Sequence, residues 1–391
     1  MRIAFHAPMK APDDPVPSGD RLVARNLMAA LRLAGHEVAL ASRFRSYDRG
    51  DRERQERLAG LGQGLAARLV RRLDDPALRP DLWFTYHLYH KAPDHLGPAV
   101  STALGIPYVV AEASVADKQR GGCFDAGYRA SVAALARADL VVTLNPNDAA
   151  GVAPHLKPGV PMRELSPFID AAPFLTARKG REESRRDIAA RFGLDAEKPW
   201  LVTAAMMRAD QKLASYRLLA ESLSLIEPDG FELLLAGTGP AEPQVRAAFA
   251  ESGVKAAFLG AVASEAMPAL FVAADLYVWP AVKEAFGMAL IEAGAAGLPV
   301  VAGTSPGVAG VVSGGETGLL VPQRDAAAFA EAVRSLLDPA KRAEYGKAAR
   351  RRAMARHDVG AAAERLDAML AETRCRFDAA AFMPSNMQRA V

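Results

Sequence analysis

The stretch Glu284-Ala-Phe-Gly-Met-Ala-Leu-Ile-Glu292 follows an apolar run, Ala274-Asp-Leu-Tyr-Val-Trp-Pro280, and the two together decide how the chain folds. The apolar run reads as a buried strand that ends in a turn at Pro280. The nonapeptide then reads as a tight loop followed by a helix that starts near Gly287. A helix start presents unpaired backbone N–H groups and the positive end of the helix dipole, which suits a phosphate. The two glutamates stand eight residues apart. At a rise of ~1.5 Å per residue they lie at most ~12 Å apart along the segment. That span fits an extended ligand with hydroxyls at both ends and phosphates between them, the layout of a nucleotide-diphosphate sugar.

Strand and helix alternate on both sides of this stretch. In the first half, strands are expected near residues 2–5, 37–42, 81–86, 108–111 and 140–143. In the second half they are expected near 200–205, 231–236, 256–259, 276–279, 299–302 and 318–321. A helix over 20–34 carries Leu22, Val23, Leu27 and Leu31 at helical spacing and stops at Gly35, and another covers 128–138. A passage rich in proline and charge, 154–198, interrupts the rhythm. Two such runs predict an α/β chain of two doubly wound, Rossmann-like domains, 1–172 and 173–356, followed by a C-terminal helical segment, 357–391. Open α/β sheets bind ligands beyond the carboxyl ends of their strands, so two facing domains would share a cleft.

Composition narrows the function. Half of the 391 residues are hydrophobic and 24% are charged, enough to build full cores, and a net charge of +3 is too mild to argue for a nucleic-acid partner. Cys123 and Cys375 match no metal-ligand spacing or disulfide framework, which fits a reducing compartment. The first residues run straight into a strand-like segment with no signal layout. No apolar stretch approaches the ~20 residues that a membrane span needs, so a cytoplasmic location is expected. Gly237-Thr-Gly239-Pro240 lacks the third glycine of a dinucleotide fingerprint. With no Asp-x-Asp pair and no Walker loop, neither a metal nor a cofactor is expected.

An ordered series of motifs fills the second half. Arg208 and Lys212 follow its first strand, and then come Leu234-Leu-Ala-Gly-Thr-Gly-Pro240 and Phe258-Leu-Gly260. Glu284-x-Phe-Gly with Glu292, Ala296-Gly-Leu-Pro-Val300 and Gly315-Glu-Thr-Gly-Leu-Leu-Val-Pro322 complete it. The series resembles the donor domain of glycosyltransferase family 4 (glycosyltransferase group 1), retaining enzymes of GT-B architecture. The resemblance is dense over 200–360 and looser in the first half. It implies a transferase that moves a sugar from a nucleotide-diphosphate sugar to a hydroxyl acceptor, namely a glycan, a lipid carrier or a small metabolite. It further implies that Glu292 holds ribose hydroxyls, that Glu284 holds hydroxyls of the transferred sugar, and that the backbone of Phe286, Gly287 and Met288 faces the phosphates. Arg208 and Lys212 would then neutralise the departing diphosphate without a metal. Gly237, Gly239 and Gly260 join the donor-binding set, as does Gly19, which stands in Ser-Gly where the family usually has Gly-Gly. The last helix, from Val359, is expected to cross back onto the first domain.

Each residue also has a plainer explanation. Surface charge would account for Arg208 or Lys212 alone, and a solvated helix face for the glutamates. A carboxylate inside the apolar run 288–296 should have hydrogen-bond partners if buried. On the acceptor side the resemblance frays, because the passage 110–115, Val-Ala-Glu-Ala-Ser-Val, lacks the histidine that many family members carry there. His87, His90, Glu112 and Ser114 are the candidates left, each equally explicable as a structural residue at a strand end.

The arginine-rich segment 43–73 places Leu58, Leu61, Leu65, Leu69 and Leu73 at helical spacing. It reads as a solvated helix packed on its domain, or as a basic amphipathic surface for peripheral contact with the inner face of a membrane. Two readings other than transfer stay open. One is an epimerase- or phosphorylase-like GT-B protein, and the other is a non-catalytic scaffold that binds nucleotide sugars.

Overall fold

β-branched and aromatic runs alternate with amphipathic helices, and the runs assemble into two six-stranded sheets in which every named strand pairing is parallel. The computed structural model describes residues 1–16, 18–284 and 287–381. Its contacts divide the chain into one unit of Met1–Leu165 with the segment that starts at Ala362, and a second unit of Ser166–Ala361.

The first sheet contains β1 (Arg2–His6), β2 (Glu37–Ser42), β3 (Leu82–Tyr89), β4 (Tyr108–Ser114), β5 (Leu140–Thr143) and β6 (Met162–Glu164). Its order is β2-β1-β3-β4-β5-β6. The central strands are apolar on both faces, and Ile3, Phe5, Trp83, Phe84, Val109 and Val110 are fully buried. β6 lies inside the passage read as an interruption. It is three residues long, Met-Arg-Glu, at the sheet edge, too short and polar to show an apolar pattern.

The helix Gly19–Leu33 is capped by Ser18, whose hydroxyl accepts from the Arg21 N–H at 3.2 Å. It buries Ala24, Leu27, Met28, Ala30 and Leu31, whereas Leu22, read as part of that face, is exposed because it stands off the 24–27–31 stripe. The helix Arg52–Leu73 buries Gln55, Gly62 and Ala66, and Leu61, one position away from that stripe, points to solvent. Gly62 allows the close approach, since a Cβ there would stand 2.5 Å from the His95 Cβ. The helix Val359–Ala381 belongs to the first unit over its later part. Fully buried Leu366 and Leu370 anchor it, Asp367 meets His36 at 3.3 Å and Glu372 meets Arg163 at 2.9 Å. Apolar burial dominates that attachment, because the Arg163–Glu372 pair is exposed and worth at most ~1 kcal/mol, and burial disfavours the charged form of His36.

The second sheet contains β7 (Trp200–Ala204), β8 (Glu232–Ala236), β9 (Ala257–Gly260), β10 (Leu276–Trp279), β11 (Val300–Gly303) and β12 (Gly318–Val321), ordered β12-β11-β10-β7-β8-β9. Strand order reverses between β7 and β10 here, and between β1 and β3 in the first sheet. Loops leaving the carboxyl ends of such a pair diverge and open a crevice, so each reversal is where a ligand site forms.

Candidate active site

At the β7/β10 reversal the two diverging loops are joined by side chains. Asp210 caps the helix Gln211–Leu223 by accepting the Lys212 N–H at 2.9 Å, which fixes Lys212 in the first turn. Lys212 Nζ then lies 2.6 Å from Glu284 Oε2. Trp279, the last residue of β10, donates its indole N–H to the same oxygen at 3.1 Å, and its ring centroid is 5.3 Å from the ammonium. Glu284 Oε1 has no partner among the described residues.

The loop that carries Glu284 is strained and tightly held. Ala281 and Lys283 adopt left-handed backbone at φ 53° and 52°, where non-glycine residues are uncommon. The Val282 N–H donates to Ser215 Oγ at 3.0 Å, and Ser305 Oγ donates to the Glu284 carbonyl at 3.2 Å. A conformation that costs ~1–3 kcal/mol per residue persists only when its surroundings over-determine it, as these bonds do.

Gly287 caps the helix Met288–Ala296 at φ 59° with no side-chain hydrogen bond to the helix start. The first N–H groups, beginning at Met288, are therefore left for an anion. A Cβ at 287 would stand 2.8 Å from Leu290 Cδ1, a side-chain end that can shift, so it is the left-handed backbone that favours glycine. Phe286 lies outside the described residues. One turn into the helix, Glu292 is half-buried and, against the expectation stated for it, makes no hydrogen bond or ion pair among the described residues. Burial pushes its carboxyl up to about 7. An acceptor-only group held without donors suits a diol.

The turn after β8 is pressed against the turn after β7. Gly237 and Gly239, at φ 141° and 156°, bring their backbone so close that a Cβ would meet the Ala205 carbonyl oxygen at 2.0 Å or that of Met207 at 2.3 Å. The Met207 N–H donates to the Thr238 carbonyl at 2.9 Å, and the Gly237 N–H to that of Gly260 at 2.8 Å. These glycines thus fix the backbone beside Arg208. Arg208 itself is half-exposed, with Nε 3.5 Å from Asp210 Oδ2.

In the first unit, His87 on β3 and Glu112 on β4 interrupt the register at facing positions, between the pairs Tyr86↔Ala111 and Leu88↔Ala113. Both are left-handed, at φ 65° and 59°. His87 Nδ1 lies 2.8 Å from Asp20 Oδ1, a contact that spans the β1/β3 reversal as Lys212–Glu284 spans the other. Asp20 is held below the usual carboxylate range chiefly by that bond. Glu112 is pushed up to about 7 by burial, with His87 pulling the other way. Gly19 begins its helix with no left-handed backbone, and a Cβ there would meet no atom within 4 Å, so nothing local requires glycine. His90 sits apart, edge-on to Phe124 at 5.0 Å, with Nδ1 buried and unpartnered. Ser114 ends β4, half-buried.

The model of the family described as Glycosyl transferases group 1 matches residues 198–339. This segment is similar to the group 1 glycosyltransferases. A D-inositol 3-phosphate glycosyltransferase of Pseudarthrobacter chlorophenolicus is 35% identical over 196 residues, 48% of this chain and 44% of that protein. The chain spans less than half the length of the curated relatives it matches. Among solved structures, sucrose-phosphate synthase from Thermosynechococcus elongatus superposes with a TM-score of 0.67 at 21% identity, covering 96% of this chain and 99% of that one. HepE of Anabaena in complex with UDP superposes with a TM-score of 0.69 at 16% identity, covering 95% and 100%. At such identities the likeness shows the fold, the GT-B architecture expected from the sequence.

Within the matched segment, three contributors were not singled out from sequence. Trp279 orients Glu284, and Ser215 and Ser305 hold the loop between β10 and the Gly287 helix. The only advance signal was the place of Trp279 at the end of a strand just before the loop. In the first unit Asp20 was also missed, although a carboxylate in the first turn after a Ser cap is a familiar helix start.

Proposed function

We propose that the chain is a retaining glycosyltransferase that moves a sugar from a nucleotide-diphosphate sugar to a hydroxyl acceptor. The observation that carries this reading is the Lys212–Glu284–Trp279 cluster at the β7/β10 reversal, in the same loop–helix unit as the uncapped start of the Met288–Ala296 helix. A diphosphate bound at that start would draw on Lys212 and the exposed guanidinium of Arg208, which together spread the charge that develops on the leaving group. Glu284 keeps one carboxylate oxygen for hydroxyls of the transferred sugar, and Glu292 receives the ribose diol. With no residue cast as a covalent nucleophile, transfer proceeds on one face, the leaving phosphate oxygen taking the acceptor proton. In this reading Arg208, Lys212 and the helix start take the charge-neutralising part that a metal would otherwise have.

Relatives support the substrate class. HepE is solved with UDP, and the matched curated relative is named for transfer to D-inositol 3-phosphate, a polyol acceptor. His87, Glu112 and Asp20 supply the acceptor-side polar groups in this reading. Arg71 and Arg72 are exposed on the helix Arg52–Leu73 and have no carboxylate partner among the described residues, which favours peripheral contact with anionic lipid. No described helix is long and apolar enough to cross a membrane.

Thermal-shift titration with UDP-, GDP- and ADP-sugars tests the proposal. One donor should raise the melting temperature by binding the native state, and Glu292→Ala should remove that rise. Release of nucleoside diphosphate with an acceptor pool should be unchanged by EDTA. A donor that binds without any diphosphate release would overturn the transferase reading.

A further inference from the structure

The second unit has a cationic groove at the amino ends of β10 and β11, at the opposite end of those strands from the Glu284 loop. A cavity of about 460 Å³ is lined there by Arg178, Arg181, Asp275, Arg342, Lys347 and Arg350. Its one carboxylate is already committed, since Asp275 accepts from Arg181 at 2.8 Å and from Arg185 at 2.9 Å. Arg178, Arg342, Lys347 and Arg350 have no carboxylate partner among the described residues.

The floor of the groove is shaped for a guanidinium. Gly297 ends the Met288–Ala296 helix at φ 85°, and a Cβ there would stand 2.9 Å from Arg178 Nη1. A Cβ at Gly346 would stand 2.3 Å from the Gly297 carbonyl oxygen. With both side chains absent, Arg178 lies across the helix end and donates to the Ala296 carbonyl at 2.8 Å. Its guanidinium is held below its ordinary range by burial and then by the nearby charges of Arg350 and Arg181. Like charges gathered around one hollow repel, and a bound anion removes that repulsion.

We propose that this groove is a second anion site, which binds a multiply charged phosphate group of a small metabolite or a lipid headgroup through Arg178, Lys347 and Arg350. Forked guanidiniums match phosphate oxygens in pairs, and Lys347 adds a point charge at the rim. The site is separate from the donor crevice, because it lies at the carboxyl end of the helix whose amino end faces the donor phosphates.

Calorimetric titration of the full chain with pyrophosphate tests the proposal. Wild type should show two binding events. Lys347→Ala/Arg350→Ala, which spares the Arg178 bond to the helix end, should weaken one of them at least tenfold. Arg208→Ala/Lys212→Ala should leave that event intact and remove the other, so failure of the donor reading is told apart. Lys347→Glu alone, at an exposed position, provides a second variant and should also weaken the event. Sedimentation with phosphatidylcholine vesicles containing phosphatidic acid separates the sources. Pelleting that is lost in the Lys347/Arg350 variant assigns a headgroup, and pyrophosphate binding without such pelleting assigns a soluble ligand. Pyrophosphate titration of that variant indistinguishable from wild type would sink the proposal.

Discussion

Lys212 and Glu284 meet at 2.6 Å across the point where the strand order of the second sheet reverses, closing the base of a crevice that the topology opens. Their side chains remain 21% and 17% exposed, so the pair is neither a surface bridge nor fully desolvated. Lys212→Met would leave Glu284 with the Trp279 N–H alone. Partial exposure limits the loss of stability to about 1–2 kcal/mol, below the full cost of breaking a buried pair. Loss of a cation beside the leaving diphosphate should lower kcat by ~10²-fold. Equal thermal denaturation with unchanged turnover would show that the lysine has no part in transfer.

Glu292 predicts two pH dependences of opposite direction. Its folded-state carboxyl is raised from 4.5 to about 7, so the native state keeps its proton after the unfolded chain has lost it. Stability therefore falls as pH rises from about 4.5 to about 7, by on the order of 3 kcal/mol. Glu292→Gln should be more stable than wild type at pH 8 and similar at pH 4. Donor binding runs the other way, because ribose hydroxyls donate to the ionised form. Affinity should rise by up to ~10-fold per pH unit as pH climbs towards 7 and level off above it. In Glu292→Gln that slope should vanish, and a titration series across pH measures it.

Two glycine substitutions separate packing from ligand contact. Gly239→Ala places a methyl 2.3 Å from the Met207 carbonyl oxygen at φ 156°, so the turn beside Arg208 must move, and a loss of about 2–4 kcal/mol is expected in denaturant unfolding. Gly19→Ala meets nothing within 4 Å and gains helix propensity, so stability should hold or rise by up to ~1 kcal/mol. If donor affinity nevertheless falls in Gly19→Ala, the glycine serves a ligand, because the fold has no use for it. An unaltered donor affinity would remove Gly19 from the site.

Much of this was legible in the residues themselves. Strand–loop–helix around 276–296 is carried by local signals: an apolar run, Pro280, and a glycine at the helix start. Strand starts and ends were read to within one to three residues, except β6, whose three residues owe their assignment to pairing with β5 alone. What could not be read were contacts made by topology. Trp279 and Lys212 lie 67 positions apart and meet only because β7 and β10 are neighbours, and Asp20 and His87 are likewise 67 positions apart. Helix faces were misjudged where a leucine sat beside the buried stripe, at Leu22 and Leu61, because small residues such as Ala24 and Gly62 hold the closest packed positions. The lack of a partner for Glu292 was equally invisible, since its neighbours in sequence are apolar in either case.

The facing pair His87 and Glu112 gives the sharpest test of the acceptor side. Each holds left-handed backbone within adjacent strands, a conformation that costs a non-glycine residue ~1–2 kcal/mol. Glu112 adds a buried carboxyl pushed up to about 7. Glu112→Gly relieves both and gives up the hydrogen bonds from the Leu144 and Asn145 backbone, so its melting temperature relative to wild type should be highest above pH 7, where the native carboxylate is charged and desolvated. If the strain is retained for function, the same variant should lose transfer to hydroxyl acceptors by at least tenfold while the thermal shift with the nucleotide sugar stays as in wild type. Glu112→Val offers the control in the other direction, because a β-branched residue tolerates that backbone poorly and should destabilise the first unit. A Glu112→Gly protein that is more stable and transfers at the wild-type rate would leave the strain without a catalytic purpose and would move the acceptor site elsewhere on the first sheet.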